Sequence, residues 1–166
     1  GPYKDGSPPA DKAALEATIL VMYPPGGDYF PYWSPSDGWT GGAWLTAGDR
    51  SAVLIAGRRA LGESYYGKRR PGDWGGAKGY HGTPYEAQFL LYDPADLEQV
   101  VAGEKKPREV LPYAVFRPRE FLWGGHDAVG AVAFDRERSL LYVFEPRGER
   151  PIIHVFQIAD AEAENG

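Results

Sequence analysis

The sequence predicts an all-β fold of antiparallel, up-and-down sheets, and three observations carry that reading. The first is composition. Among 166 residues there are 22 Gly and 15 Pro, spread out rather than clustered, together with 5 Trp and 11 Tyr. That pattern calls for many tight turns between short strands, and for large aromatic surfaces to pack or stack between them. The second is the stretch 124–158, GGHDAVGAVAFDRERSLLYVFEPRGERPIIHVFQI. Three apolar runs rich in β-branched and aromatic residues (128–134, 140–145 and 152–158) are separated by the polar links DRERS and PRGER, the signature of a three-stranded meander. The first of these runs is almost continuously apolar, so both of its faces are expected to be covered. The third observation is an internal repeat. Setting Gly42 against Gly130 aligns GAWLTAGDRSAVLIAG with GAVAFDRERSLLYVFE without a gap, with Gly-Ala opening both copies and Arg-Ser preceding the second strand of each. The third strands then correspond as QFLLYDPADL (88–97) and IIHVFQIADA (152–161), once a long insertion in the first copy is allowed for.

Strand-built repeats of this size point to a propeller or a related array. The expected architecture is two antiparallel four-stranded β-propeller-like blades with one short helix and an incomplete ring, since a closed propeller needs roughly four to eight blades.

Residues 1–16 are polar and proline-rich and read as an N-terminal tail. Residues 17–166 form a single β domain. Its first apolar run, ATILVMY at 17–23, has no partner in the neighbouring sequence and is the right length to complete the second blade. An aromatic, turn-rich loop spans 24–41. The first blade covers about 42–117, with strands near 42–46 and 52–57, an insertion at 58–86, and a third strand at 87–93. Asp93-Pro94 supplies an N-cap and first helical residue, and Gly103 stands where a helix-terminating glycine belongs, so a helix of about two turns is expected between them. Residues 110–117 supply the outer strand. The second blade covers about 128–158.

Composition narrows the function. A net charge of −5 disfavours a polyanion partner, so no nucleic-acid role is expected. With no Cys there is no disulfide, thiolate metal site or catalytic thiol. No run of about twenty apolar residues suggests a membrane span.

In an up-and-down sheet the connections alternate between two ends. The short turns AGDRS and DRERS and the helical connection fall on one end. The loop 24–41, the insertion and the link FLWGGHDA fall on the other, and residue-rich loops carry function more often than strands do. The insertion, RRALGESYYGKRRPGDWGGAKGYHGTPYE, interleaves Arg58 and Arg59 with Tyr65, Tyr66, Trp74, Tyr80, His81 and Tyr85. Such aromatic faces suit the C–H face of a sugar, and guanidinium groups grip carboxylates in bidentate fashion. The competing reading is that these aromatics form the loop's own small core. Trp123 and His126 lie on the same end and complete the candidate ligand surface. Glu63, Asp73, Glu86 and Asp127 are the carboxylates to test as catalytic groups, because glycosidases use such pairs. Asp28 and Asp37 sit where a turn role is favoured, and His154, mid-strand, reads as structural. No histidine has a partner at a recognisable metal spacing, and neither a metal nor a cofactor is expected.

The motif VGAVAFDRERSLLYVFEP followed by PIIHVFQI resembles a blade of the YVTN or NHL-like β-propeller families, over the second copy well and over the first loosely. The resemblance implies a propeller fold, an extracellular or periplasmic setting, and ligands on the loop-bearing face. It implies no particular activity. The functional expectation is therefore a binding module for carbohydrate or another hydroxyl- and carboxylate-rich ligand. The alternatives are the C-terminal part of a propeller-fold hydrolase, or a structural subunit. Further blades in the same or another chain, or a second copy, are the expected macromolecular partners.

Overall fold

A computed structural model of the chain describes residues 17–23, 31–73, 75–123, 128–146 and 150–159. It is mostly β, its sheets are antiparallel, and none is closed. Sheet A has the order β1-β2-β5-β6, from β1 (Gly38–Ala47), β2 (Arg50–Ala60), β5 (Tyr85–Tyr92) and β6 (Ala114–Phe116). Sheet B is the meander β7-β8-β9, from β7 (Val132–Asp135), β8 (Leu140–Glu145) and β9 (Ile152–Gln157). A small hairpin of β3 (Tyr65–Tyr66) and β4 (Tyr80–His81) stands inside the insertion.

Alternation along β2 and β5 explains why sheet A is buried on both faces. Leu54, Ala56, Ala87 and Phe89 point to one side and meet Leu141 and Val143 of sheet B in a shared core. Val53, Ile55, Leu90 and Tyr92 point to the other, where helix α1 (Pro94–Val101) lays Leu97 and Val100 over them. The helix begins as its sequence dictates. Asp93 accepts from the Ala95 N–H, Pro94 opens the first turn, and Gly103 follows the last turn with φ +77.

β1 and β2 run longer than expected, from Gly38 and to Ala60, and β5 starts at Tyr85, so Arg58, Arg59, Tyr85 and Glu86 are strand residues and the insertion is shorter than 58–86. Three other boundaries differ from expectation for identifiable reasons. The run 17–23 is not a strand of sheet B. Met22 N–H donates to the Pro107 carbonyl, and Leu20, Val21 and Tyr23 pack on the second face of sheet A beside α1. That face is broader than a two-turn helix can cover, so the apolar run is drawn there. The outer strand β6 is three residues long rather than eight, because Pro112 and Pro118 bracket it and neither can donate to a ladder. The first strand of sheet B begins at Val132. Ala128 and Val129 are buried ahead of it, but Ala131 and Ala133 are exposed, so one face of β7 is open where two covered faces were expected.

The two sheets meet most closely where β1 begins. Thr40 Oγ1 donates to the Val129 carbonyl, and a Cβ on Gly41 would stand 2.6 Å from the Gly130 carbonyl oxygen. Only glycine permits that approach. The start of β1 and the entry to β7 therefore share one end of the molecule. The insertion leaves β2 at that end, and the β6–β7 link arrives there, with Arg117 Nε 3.0 Å from Glu86 Oε1. The β1–β2 turn and the α1 connection lie at the opposite end of sheet A. No described helix is long and apolar enough to cross a membrane.

Candidate functional site

The loop-bearing end is built on a buried ion pair. Arg59 Nη1 lies 2.6 Å from Asp37 Oδ2, and both side chains are almost fully buried. The same carboxylate accepts from Ser34 N–H, the Ser34 hydroxyl and Ala60 N–H. Asp37 thus serves its own turn, as expected, and also ties the start of β1 to the end of β2. Arg59, a candidate ligand grip, is spent inside this knot. Arg58 lies over the Tyr85 ring at 4.8 Å, and the buried Tyr85 hydroxyl accepts from Gly82 N–H. These three residues shape the base of the insertion.

Above that base the insertion has a small polar core. The Tyr65 hydroxyl donates to Asp73 Oδ2, which also accepts from Arg70 N–H at 2.6 Å, while the Arg70 guanidinium covers the Tyr65 ring at 4.0 Å. His81 is buried beside Tyr65, with ring centroids 5.5 Å apart. Its Nε2 lies 3.0 Å from the Gly67 carbonyl and donates to it. Burial works to raise the Asp73 pKa, but the Tyr65 hydroxyl, the Arg70 N–H and the nearby His81 outweigh it and hold the carboxyl below its usual range. Burial and the adjoining carboxylate raise Tyr65, so it stays a neutral donor. Asp73 Oδ1 and His81 Nδ1 are buried with no hydrogen-bond partner among the described residues.

What the insertion offers to solvent is at its tip. Tyr66 and Tyr80, opposite one another on the β3–β4 hairpin, form an edge-on pair at 5.3 Å and are 66% and 53% exposed. Lys68, Arg69 and Arg70 are exposed beside them in sequence, with Arg69 Nη1 3.3 Å from the Gly75 carbonyl. Glu63 is exposed, and Glu86 accepts from Arg117 and Gln88. Trp123, at the entry to sheet B, is 57% exposed. Trp74, His126 and Asp127, as well as Asp28, lie outside the described residues.

A further carboxylate escaped the sequence reading. Glu145 is fully buried at the end of β8, where its Oε2 lies 2.6 Å from His154 Nε2 and accepts from Trp123 N–H, while Oε1 has no partner among the described residues. The signal was present: Leu141, Val143 and Glu145 fall at successive inward positions of one strand, which places a charge in an apolar row. His154, read as structural, is the partner that this charge requires. Among the described residues, no group of three or more His, Asp or Glu is placed to hold a metal ion.

A scan against protein-family models, a search of curated proteins and a search of solved structures each return no match to this chain.

Proposed function

We propose that the chain is a ligand-binding β module, two neighbouring blades of a propeller-type array, whose loop-bearing end takes a carbohydrate or another hydroxyl- and carboxylate-rich ligand. One observation carries the reading: the exposed rings of Tyr66, Tyr80 and Trp123 belong to loops that leave the two sheets at the same end, with the Lys68, Arg69 and Arg70 cations beside two of them. A pyranose ring lays its C–H face on such aromatics, and its hydroxyls or carboxylate meet the cations. Arg59, Tyr65, His81 and Tyr85 support that surface from within instead of touching the ligand.

The blade reading is supported by the β1–β7 junction, which sets corresponding first strands of the two copies side by side. It is also supported by the open apolar face of sheet B, where a further blade or a second copy would pack. The test is a screen of neutral and acidic oligosaccharides by glycan array, followed by calorimetry. Binding is expected, and Tyr66→Ala or Trp123→Ala should weaken it by about tenfold or more. A silent array, or affinity untouched by both substitutions, contradicts the proposal.

A second reading, a propeller-fold hydrolase, is favoured by Asp73 and Glu145, each of which keeps one buried carboxylate oxygen with no hydrogen bond among the described residues, at the loop-bearing end. Turnover of a bound oligosaccharide that is lost in Glu145→Gln while binding persists would establish it. Binding without turnover would exclude it.

A further inference from the structure

The face of sheet A turned away from sheet B is not fully closed by its cover. Between the sheet, α1 and the 17–23 segment lies a cavity of about 200 Å³. Its walls include Val21, Trp33, Trp39, Ile55 and Leu97, with Tyr23 and Tyr92 completing an aromatic side. Close-packed interiors contain few voids of this size. An apolar cavity of about 150 Å³ already takes benzene and excludes water, so this one has room for a substituted or fused ring.

The chemistry of the walls selects the occupant. Among the described residues no charged side chain lines the cavity, and a charge buried there without a partner is strongly disfavoured, which excludes ions. Among the described residues its hydroxyls are those of Tyr23 and Tyr92, 2.7 Å apart. Tyr23 donates to the Val110 carbonyl, so the proton between the two hydroxyls comes from Tyr92. Tyr92 Oη therefore keeps acceptor capacity and has no proton left to donate. The two Trp rings offer faces and edges against which a second aromatic ring packs favourably.

We propose that this cavity is a binding site for a small, uncharged, one- or two-ring apolar molecule, with at most a single N–H or O–H to donate. The site is separate from the loop-bearing surface: its walls include none of the exposed tip residues, and its chemistry rejects sugars.

The test titrates indole, benzene and glucose into the full chain, followed by methyl and aromatic NMR and by thermal unfolding. Indole and benzene are expected to saturate, to raise Tm, and to shift Val21, Val53 and Ile55 while leaving Tyr66 and Trp123 unmoved. Filling the cavity with Val53→Phe should weaken indole by about tenfold or more at unchanged or higher Tm. Leu97→Phe, from the helix wall, provides the same test should the first variant fail to fold. No saturable binding of indole at about 1 mM, a glucose response equal to that of indole, or binding that survives both substitutions would overturn the proposal. Shifts confined to Tyr66 and Trp123 would also overturn it and would assign the ligand to the loop-bearing surface.

Discussion

Sheet A and sheet B are built by the same rule and finished differently. In sheet A both faces of β2 are used: Leu54 and Ala56 enter the core shared with sheet B, and Val53 and Ile55 lie under α1 and the 17–23 segment. In sheet B only the inward row Leu141, Val143 and Glu145 is buried. On the outer row Phe144 is 36% exposed, Ile153 63% and Val155 53%. The contrast teaches that an up-and-down sheet sets one covered face and leaves the other to whatever the chain can bring. Here the helix and the leading apolar run both go to sheet A. Sheet B keeps an exposed apolar face.

The largest effects should come from breaking what sheet A buries at its loop-bearing end and in the core it shares with sheet B. Asp37→Ala leaves Arg59 without its carboxylate in a dry site, and a loss of about 3–5 kcal/mol is expected in urea unfolding. Leu54→Ala, in the core between the sheets, should cost about 3 kcal/mol by the same measurement. If either changed stability by less than 1 kcal/mol, the double-covered description of sheet A would be wrong in that region.

How much of this contrast the sequence disclosed depends on range. The turns at 48–49 and 136–139, the helix caps at Asp93 and Gly103, and strands β8 and β9 are written in local chemistry, and they stand where that chemistry puts them. The resting place of 17–23 is not local. An apolar run of seven residues suits a strand or a cover equally well, and only the unfilled face beside α1 decides between them. The candidate site divides along the same line. Residue types predicted an aromatic, basic loop, but not which rings turn inward. Tyr65, His81 and Tyr85 are drawn into hydrogen bonds with Asp73, Gly67 and Gly82, while Tyr66 and Tyr80, their neighbours in alternation or sequence, are left outside. Glu145 was hidden because its partner His154 lies on another strand.

An intermediate effect separates the insertion from the sheets beneath it. The Asp73 carboxyl is held below its ordinary value of 3.8 in the folded chain. The unfolded chain therefore binds a proton first, and the contribution of Asp73 is present above that ordinary value and lost as pH falls through the folded one. Amide exchange between about pH 5 and about pH 2 should show the 65–81 region loosening before β2 and β5 do, and Asp73→Asn should remove that pH dependence. Simultaneous loosening of all three would show that the insertion is not a separate unit.

The smallest effect should come from the open face. Ile153→Thr is expected to change stability by no more than about 0.5 kcal/mol in the isolated chain. A larger loss that grows with protein concentration would show that this face is already covered by another copy.

The central claim is that the loops of both sheets leave from one end, and the absence of cysteine allows it to be measured directly. Spin labels are placed on Leu61→Cys with Trp123→Cys in one sample, and on Asp49→Cys with Trp123→Cys in another, and electron–electron distances are recorded for each pair. Residues 49 and 61 stand near opposite ends of sheet A, whose ten-residue β1 spans roughly 33 Å. The 61–123 distance should be clearly the shorter of the two. A shorter 49–123 distance would put the Trp123 corner at the opposite pole from the insertion and contradict the shared ligand surface.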